Sequence, residues 1–168
     1  GGWRPLTMVP AGTLNALFSM VVPFAVLIVG VQLSATELQR LLPVVIGLVV
    51  LSALLAVLQL LGIMGPIFYY GVKNDGHAVG LLVNRNHHAV LLSCLLMLLG
   101  LFAGGEAGTR GAARSRVAAC LAIGLLVLSL ILLTGSRGGL LFGIPSAVMA
   151  VVLFQLRSGV YLSFKGQA

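Results

Sequence analysis

The sequence predicts an all-α integral membrane protein with about five transmembrane helices, part of a larger polytopic helical bundle. Three observations lead there. Of 168 residues, 60% are hydrophobic and only 8% are charged, whereas a soluble domain carries about 25% charged residues. The mean hydropathy is +1.15. The apolar residues fall in long uniform runs, without the one-sided stripe of a helix lying on a membrane surface. Strands are excluded as well: an open sheet cannot satisfy its backbone in lipid, and no alternating barrel pattern is present.

Five runs are long enough to consider, at residues 14–33, 41–62, 88–103, 117–134 and 139–156. Crossing the hydrocarbon takes about 20 helical residues. The third run is short, so it is expected to extend into its polar flanks or to cross a locally thin region. Small residues such as Gly30, Gly47, Gly124 and Gly143 are expected to let helices approach closely. Pro145 lies inside the last run, where a kink is expected. Cys94 and Cys120 both fall in apolar runs and read as small core residues. There is no 20–50-residue repeat, so residues 1–168 read as one transmembrane domain. The chain opens Gly1-Gly2-Trp3 and closes soon after its last run, and we expect a piece of a longer membrane protein.

Ten Lys and Arg against three Asp and Glu give a formal charge of +7. In a soluble protein this balance would suggest nucleic acid. Here the basic residues stand between apolar runs, where headgroups and topology account for them, and no nucleic-acid partner is expected. The densest patch is Arg110, Arg114 and Arg116, between the third and fourth runs. The positive-inside tendency places that loop in the cytoplasm. Alternation then puts Arg40, Arg157 and Lys165 inside too, and Arg4, Lys73, Arg85 and Arg137 outside.

Two outer loops hold the polar residues that need an explanation. One spans residues 63–87 and ends in Asn84-Arg85-Asn86-His87-His88. The other is Gly135-Ser136-Arg137-Gly138-Gly139. Each precedes a helix running from outside to inside, so both mark helix N-termini on one membrane face. The first N–H groups of a helix lack intrahelical acceptors, and the macrodipole adds about half a positive charge. Asn86 and Ser136 are suitable N-cap residues. An Arg at such an end, with Gly138 and Gly139 allowing close approach, makes an anion site. Arg suits phosphate because its planar fork donates two parallel hydrogen bonds and stays charged. Two such sites suit a pyrophosphate. The alternative is that each Arg merely anchors its helix among the headgroups.

These motifs carry a resemblance. Asn84-Arg85-Asn86-His87-His88-Ala89, followed by Leu133-Thr134-Gly135-Ser136-Arg137-Gly138-Gly139, resembles the O-antigen ligase and O-antigen polymerase superfamily of bacterial inner-membrane glycosyltransferases. Trp3-Arg4-Pro5-Leu6 is a weaker similarity. The resemblance implies a multi-pass inner-membrane protein of lipopolysaccharide biosynthesis with both motifs at the periplasmic face. It implies a glycan donor on undecaprenyl pyrophosphate, and lipid A–core or a growing glycan as acceptor. Arg85 and Arg137 would bind the pyrophosphate, supported by Asn84, Asn86, His87, Ser136, Gly138 and Gly139. Two arginines would neutralise the leaving group, and an acceptor hydroxyl would attack the anomeric carbon with help from a general base. No cofactor is implied and no metal is expected, because Asp75, His77, His87 and His88 lack a ligand arrangement. The family's His on a large periplasmic loop has no counterpart here, so the catalytic residue is unassigned and these residues alone are not expected to be active.

Other polar residues read more simply. His87 is expected to order its helix start or to touch the donor headgroup, and His77 and His88 to be interfacial. Tyr69 and Tyr70 suit an interfacial pair, and Lys73, Asn74 and Asp75 a solvated turn. Gln32, Gln59 and Gln155 could bond between helices. Glu37 and Arg40 could pair on a short inner turn. The rival function is a transporter segment whose anion pathway is lined by Arg85 and Arg137.

Overall fold

The computed structural model describes residues 10–63, 77–82 and 84–158. Among these are six α-helices and no strand: α1 (Pro10–Ser19), α2 (Val21–Gln32), α3 (Ala35–Leu60), α4 (Arg85–Ala103), α5 (Arg110–Leu133) and α6 (Arg137–Ser158). Five candidate spans result, because α1 and α2 together supply the stretch Gly12–Gln32. The protein is an all-α, multi-pass membrane protein. The short third run does extend into its polar flank, starting at Arg85. Trp3 to Leu6, Tyr69, Tyr70, Lys73, Asn74, Asp75 and Lys165 lie outside the described residues.

The chain divides into two compact units, Gly1–Arg40 and Leu41–Ala168. In the first, the apolar run breaks at Met20, whose N–H reaches back to the Leu17 carbonyl at 3.1 Å. Pro23 has no N–H for the Ser19 carbonyl and is tolerated only in the first turn of a new helix. The start of α3 is a capping box. The Glu37 carboxylate accepts from the Ser34 N–H at 2.8 Å and from its hydroxyl at 2.6 Å, and the Ser34 hydroxyl oxygen accepts from the Glu37 N–H at 3.3 Å. Glu37 is therefore committed to Ser34, correcting the expected pairing with Arg40. Gln32 also stays local, donating to the Ile28 carbonyl of its own helix at 3.1 Å.

In the second unit, α4 is the central element. Ile46, Val49 and Ala53 of α3, Leu92, Leu95, Leu96 and Leu99 of α4, and Val127, Leu130 and Ile131 of α5 form one buried cluster. The outer faces stay apolar and open, as at Leu125 (67% exposed) and Ile144 (68%), which suits lipid. Lipid tails are as apolar as leucine, so helices there associate through close packing and hydrogen bonds. The close packing lies between α4 and α6. A Cβ on Gly100 would come within 2.7 Å of the Ala150 Cα, one on Gly104 within 2.7 Å of the Phe154 carbonyl oxygen, and one on Gly139 within 2.6 Å of the Ala89 Cβ. Early residues meet early residues and late meet late, so α4 and α6 are parallel. By contrast Arg116, near the start of α5, stacks over Phe102 near the end of α4, 5.7 Å from the ring centre; α5 runs the other way.

The glycines responsible form two small-xxx-small pairs, Gly100/Gly104 and Gly139/Gly143. Gly30 and Gly47, expected to mediate approach, face nothing within 4 Å among the described residues. Helix α6 continues through Pro145. Cys120 is buried, but Cys94 is exposed on α4. That corrects its expected core position: being apolar serves a lipid-facing site as well as a buried one.

Gly100→Ala should lower stability by about 1–3 kcal/mol, because its methyl group meets backbone that cannot turn away. Gly124→Ala, whose Cβ would have Leu96 Cδ2 as its nearest neighbour at 4.0 Å, should be neutral or gain up to about 1 kcal/mol of helix propensity. Thermal unfolding in detergent compares them, and equal midpoints would contradict the tight α4–α6 contact.

Candidate functional site

The parallel pairing of α4 and α6 brings the two polar motifs to one end of the bundle. Arg85 is the first residue of α4 and Arg137 the first of α6. The two helix starts meet where Ala89 packs on Gly139.

Each start is locally capped. Asn84 is extended, with φ −116° and ψ 121°, and its side-chain oxygen accepts from the Asn86 N–H at 2.8 Å. Asn84 is thus the N-cap, correcting the expected Asn86, which lies inside the first turn; the geometry demands an extended residue immediately before the helix. Ser136 is buried, and its hydroxyl oxygen accepts from the Gly139 N–H at 3.0 Å, as expected of the α6 cap. The turn before it rests on Gly135, at φ +61°, the left-handed conformation that commonly ends a helix. Buried Thr134 donates to the Ile131 carbonyl at 2.7 Å and accepts from the Ser136 N–H at 3.3 Å. These bonds consume the turn's own polar groups and leave the N–H groups of Arg137 and Gly138 at the helix start.

The electrostatics follow from the parallel arrangement. Antiparallel neighbours offset their macrodipoles, but parallel ones put two partly positive ends together, each about half a charge. The guanidinium groups of Arg85 and Arg137 add to this. Arg137, Asn84, Asn86 and His87 are exposed, Gly138 and Arg85 half-buried and Gly139 buried. The arrangement is a positive surface with no carboxylate paired to either arginine among the described residues, and it is suited chemically to an anion.

Arg85 is held by a residue expected only at the interface. Its Nη1 donates to His77 Nε2 at 3.1 Å. A guanidinium has donors alone, so this imidazole nitrogen must accept. His77 belongs to the segment 77–82, which lies across α3 and α4. Gln59 accepts from the N–H groups of Val79 at 3.2 Å and Gly80 at 2.8 Å, and donates to the Gly80 carbonyl at 3.1 Å. The Ser52 hydroxyl oxygen accepts from the Leu81 N–H at 3.0 Å and lies 3.4 Å from His88 Nδ1. Irregular backbone among membrane-spanning helices is tolerated only when protein or water satisfies it. Gln59 therefore serves a connecting segment, where bonding between helices was expected. Gly80 is required twice over: its φ is +57°, and a Cβ would lie 2.6 Å from His88 Cε1.

His88 is fully buried, correcting its expected interfacial position, and its Nε2 has no hydrogen-bond partner among the described residues. His87, one residue earlier, is exposed, as a helical turn of about 100° per residue requires. Ser52 and Gln59 of α3, and His77 and Gly80 of the segment 77–82 that they strap down, were missed as site residues. The available signal was spacing, since Ser52 and Gln59 stand seven apart on one helix face. Among the described residues no three His, Cys, Asp or Glu side chains are grouped as metal ligands.

No family model, curated protein or solved structure matches this chain.

Gln59→Leu should free the strap. Leaving the Val79 and Gly80 amides without acceptors costs about 1–3 kcal/mol, so their hydrogen exchange should quicken about ten- to hundredfold, with exchange in the middle of α4 unchanged. Unaltered exchange at these amides would show that Gln59 does not hold the segment.

Proposed function

We propose that the chain is the membrane domain of a bacterial glycosyltransferase that moves a glycan from undecaprenyl pyrophosphate to an acceptor at the periplasmic face, of O-antigen ligase or polymerase type. The observation that carries this reading is the adjacency of two arginine-headed helix N-termini, Arg85 on α4 and Arg137 on α6, through the contact of Ala89 with Gly139. One pyrophosphate has two phosphoryl groups, and two neighbouring positive helix starts match it in number and sign. The motif sequences are those on which the resemblance to that superfamily rests.

In this mechanism the donor's diphosphate lies across the two helix starts. Arg85 and Arg137 give charge-assisted hydrogen bonds to its oxygens. As the bond from the anomeric carbon to the diphosphate oxygen breaks, negative charge grows on the leaving group, where both guanidiniums and the N–H groups of Arg137 and Gly138 stabilise it. The acceptor hydroxyl forms the new bond and gives its proton to a general base. The arginines have no lone pair for that role, and the base is a separate group. Asn84 and Ser136 act by fixing the helix starts, and His77 by aiming Arg85.

Arg137→Ala and Arg85→Ala should each lower transfer about 10²–10³-fold, the usual cost of losing one donor to a developing charge. Arg137→Lys should recover only part of it, lacking the planar fork. In cells, disrupting the gene should alter the surface glycan ladder. Loss of polymer from the lipid core would indicate a ligase, and a core with a single repeat a polymerase. Restoration of the ladder by Arg137→Ala at wild-type protein level would overturn the assignment.

A further inference from the structure

The opposite end of the same bundle carries a different arrangement. Helices α5 and α6 touch near their connecting turn, where Ile131 Cγ2 lies 3.3 Å from the position of a Cβ on Gly143. Further along they separate over α4 and leave an apolar cleft of about 350 Å³, whose walls include Leu96 and Ala103 of α4, Val117 and Leu128 of α5, and Ala147 and Phe154 of α6. From Val117 to Leu128 the cleft follows α5 for about 16 Å at 1.5 Å per residue. Its walls are almost entirely apolar, whereas a held water needs two or more polar partners.

The cleft ends at a pair of cations. Arg116 donates to the carbonyl of Glu106 at 2.8 Å and to that of Gly105. The Arg157 Nε lies 3.5 Å from where a Cβ on Gly105 would stand. Two guanidinium groups thus gather at one glycine, while Glu106 offers Arg116 its carbonyl and not its carboxylate. Arg116 Nε is buried without a hydrogen-bond partner among the described residues. Arg110 and Arg114, both exposed, lie on the first turns of the same helix α5. Like charges so placed favour an anion, and the slot beside them favours a hydrocarbon chain.

We propose that this cleft binds one anionic phospholipid, its acyl chain between α5 and α6 and its phosphate at Arg157 and Arg116. Charge complementarity selects the headgroup, and the almost entirely apolar wall selects the tail. Basic pockets between transmembrane helices take anionic headgroups in this way. The site is separate from the helix starts at Arg85 and Arg137 and does not depend on the function proposed for them.

The test is native mass spectrometry of the purified protein from micelles containing equal phosphatidylglycerol and phosphatidylcholine. Wild type should retain one phosphatidylglycerol in preference to phosphatidylcholine by about fivefold or more, the effect of one surface arginine. Arg157→Gln, at an exposed position, should reduce that preference about fivefold with helix content and unfolding midpoint unchanged. Gly124→Leu should fill the cleft and abolish retention of either lipid. Equal retention of the two lipids by wild type would overturn the proposal, as would unchanged retention in Arg157→Gln. A Gly124→Leu protein that keeps its lipid but changes from dimer to monomer would also overturn it, by making a second copy the occupant.

Discussion

The structure depends on the backbone contact between two parallel helices. Without side chains at Gly100 and Gly139, α4 and α6 approach until Ala150 and Ala89 meet the opposing main chain. In a bilayer this contact does much of the work that apolar burial does in water, because moving leucine from lipid to protein gains little. Its orientation has an electrostatic cost. Two parallel helices align their dipoles, and their positive ends are forced together at Arg85 and Arg137. An anion relieves that repulsion, so the packing that stabilises the bundle also makes its charged end receptive.

The strap 77–82 shows a related constraint. A chain leaving α3 and entering α4 must cover its amides, and within the bundle side chains replace water as partners. Gln59 meets this need because its amide offers both an acceptor and a donor, and it serves three backbone groups of Val79 and Gly80. Ser52 takes the next N–H. The strap in turn presents His77 to Arg85, so a polar residue on α3 influences a cation on α4 through backbone alone.

Much of the fold was legible because hydropathy is a coarse and strong signal. Spans 14–33 and 139–156 were found with ends displaced by a few residues, since ends depend on caps and not on apolarity. The box Ser34/Glu37 and the Thr109 cap, whose side chain accepts from the Ala112 N–H at 3.2 Å, carry α3 and α5 several residues beyond their apolar runs. The pairing of helix starts was readable from alternation and from the motifs. Burial was not. Nothing in the hydropathy of Cys94 or His88 says which way it faces, because both sides of a membrane helix are apolar. Glycines posed the same difficulty: Gly30 and Gly100 look alike in sequence, and only the position of Ala150 shows that packing rests on Gly100.

The two arginines differ in freedom. Arg85 is half-buried and tethered to His77, whereas Arg137 is exposed. A long side chain loses up to about 2 kcal/mol of rotamer entropy when it is fixed. For Arg85 much of that loss is already incurred when the chain folds, and for Arg137 it falls due only on binding. An anion bound as proposed would therefore meet one cation already aimed by His77 and one that is still free to adapt, so its shape would be accommodated at α6 more than at α4.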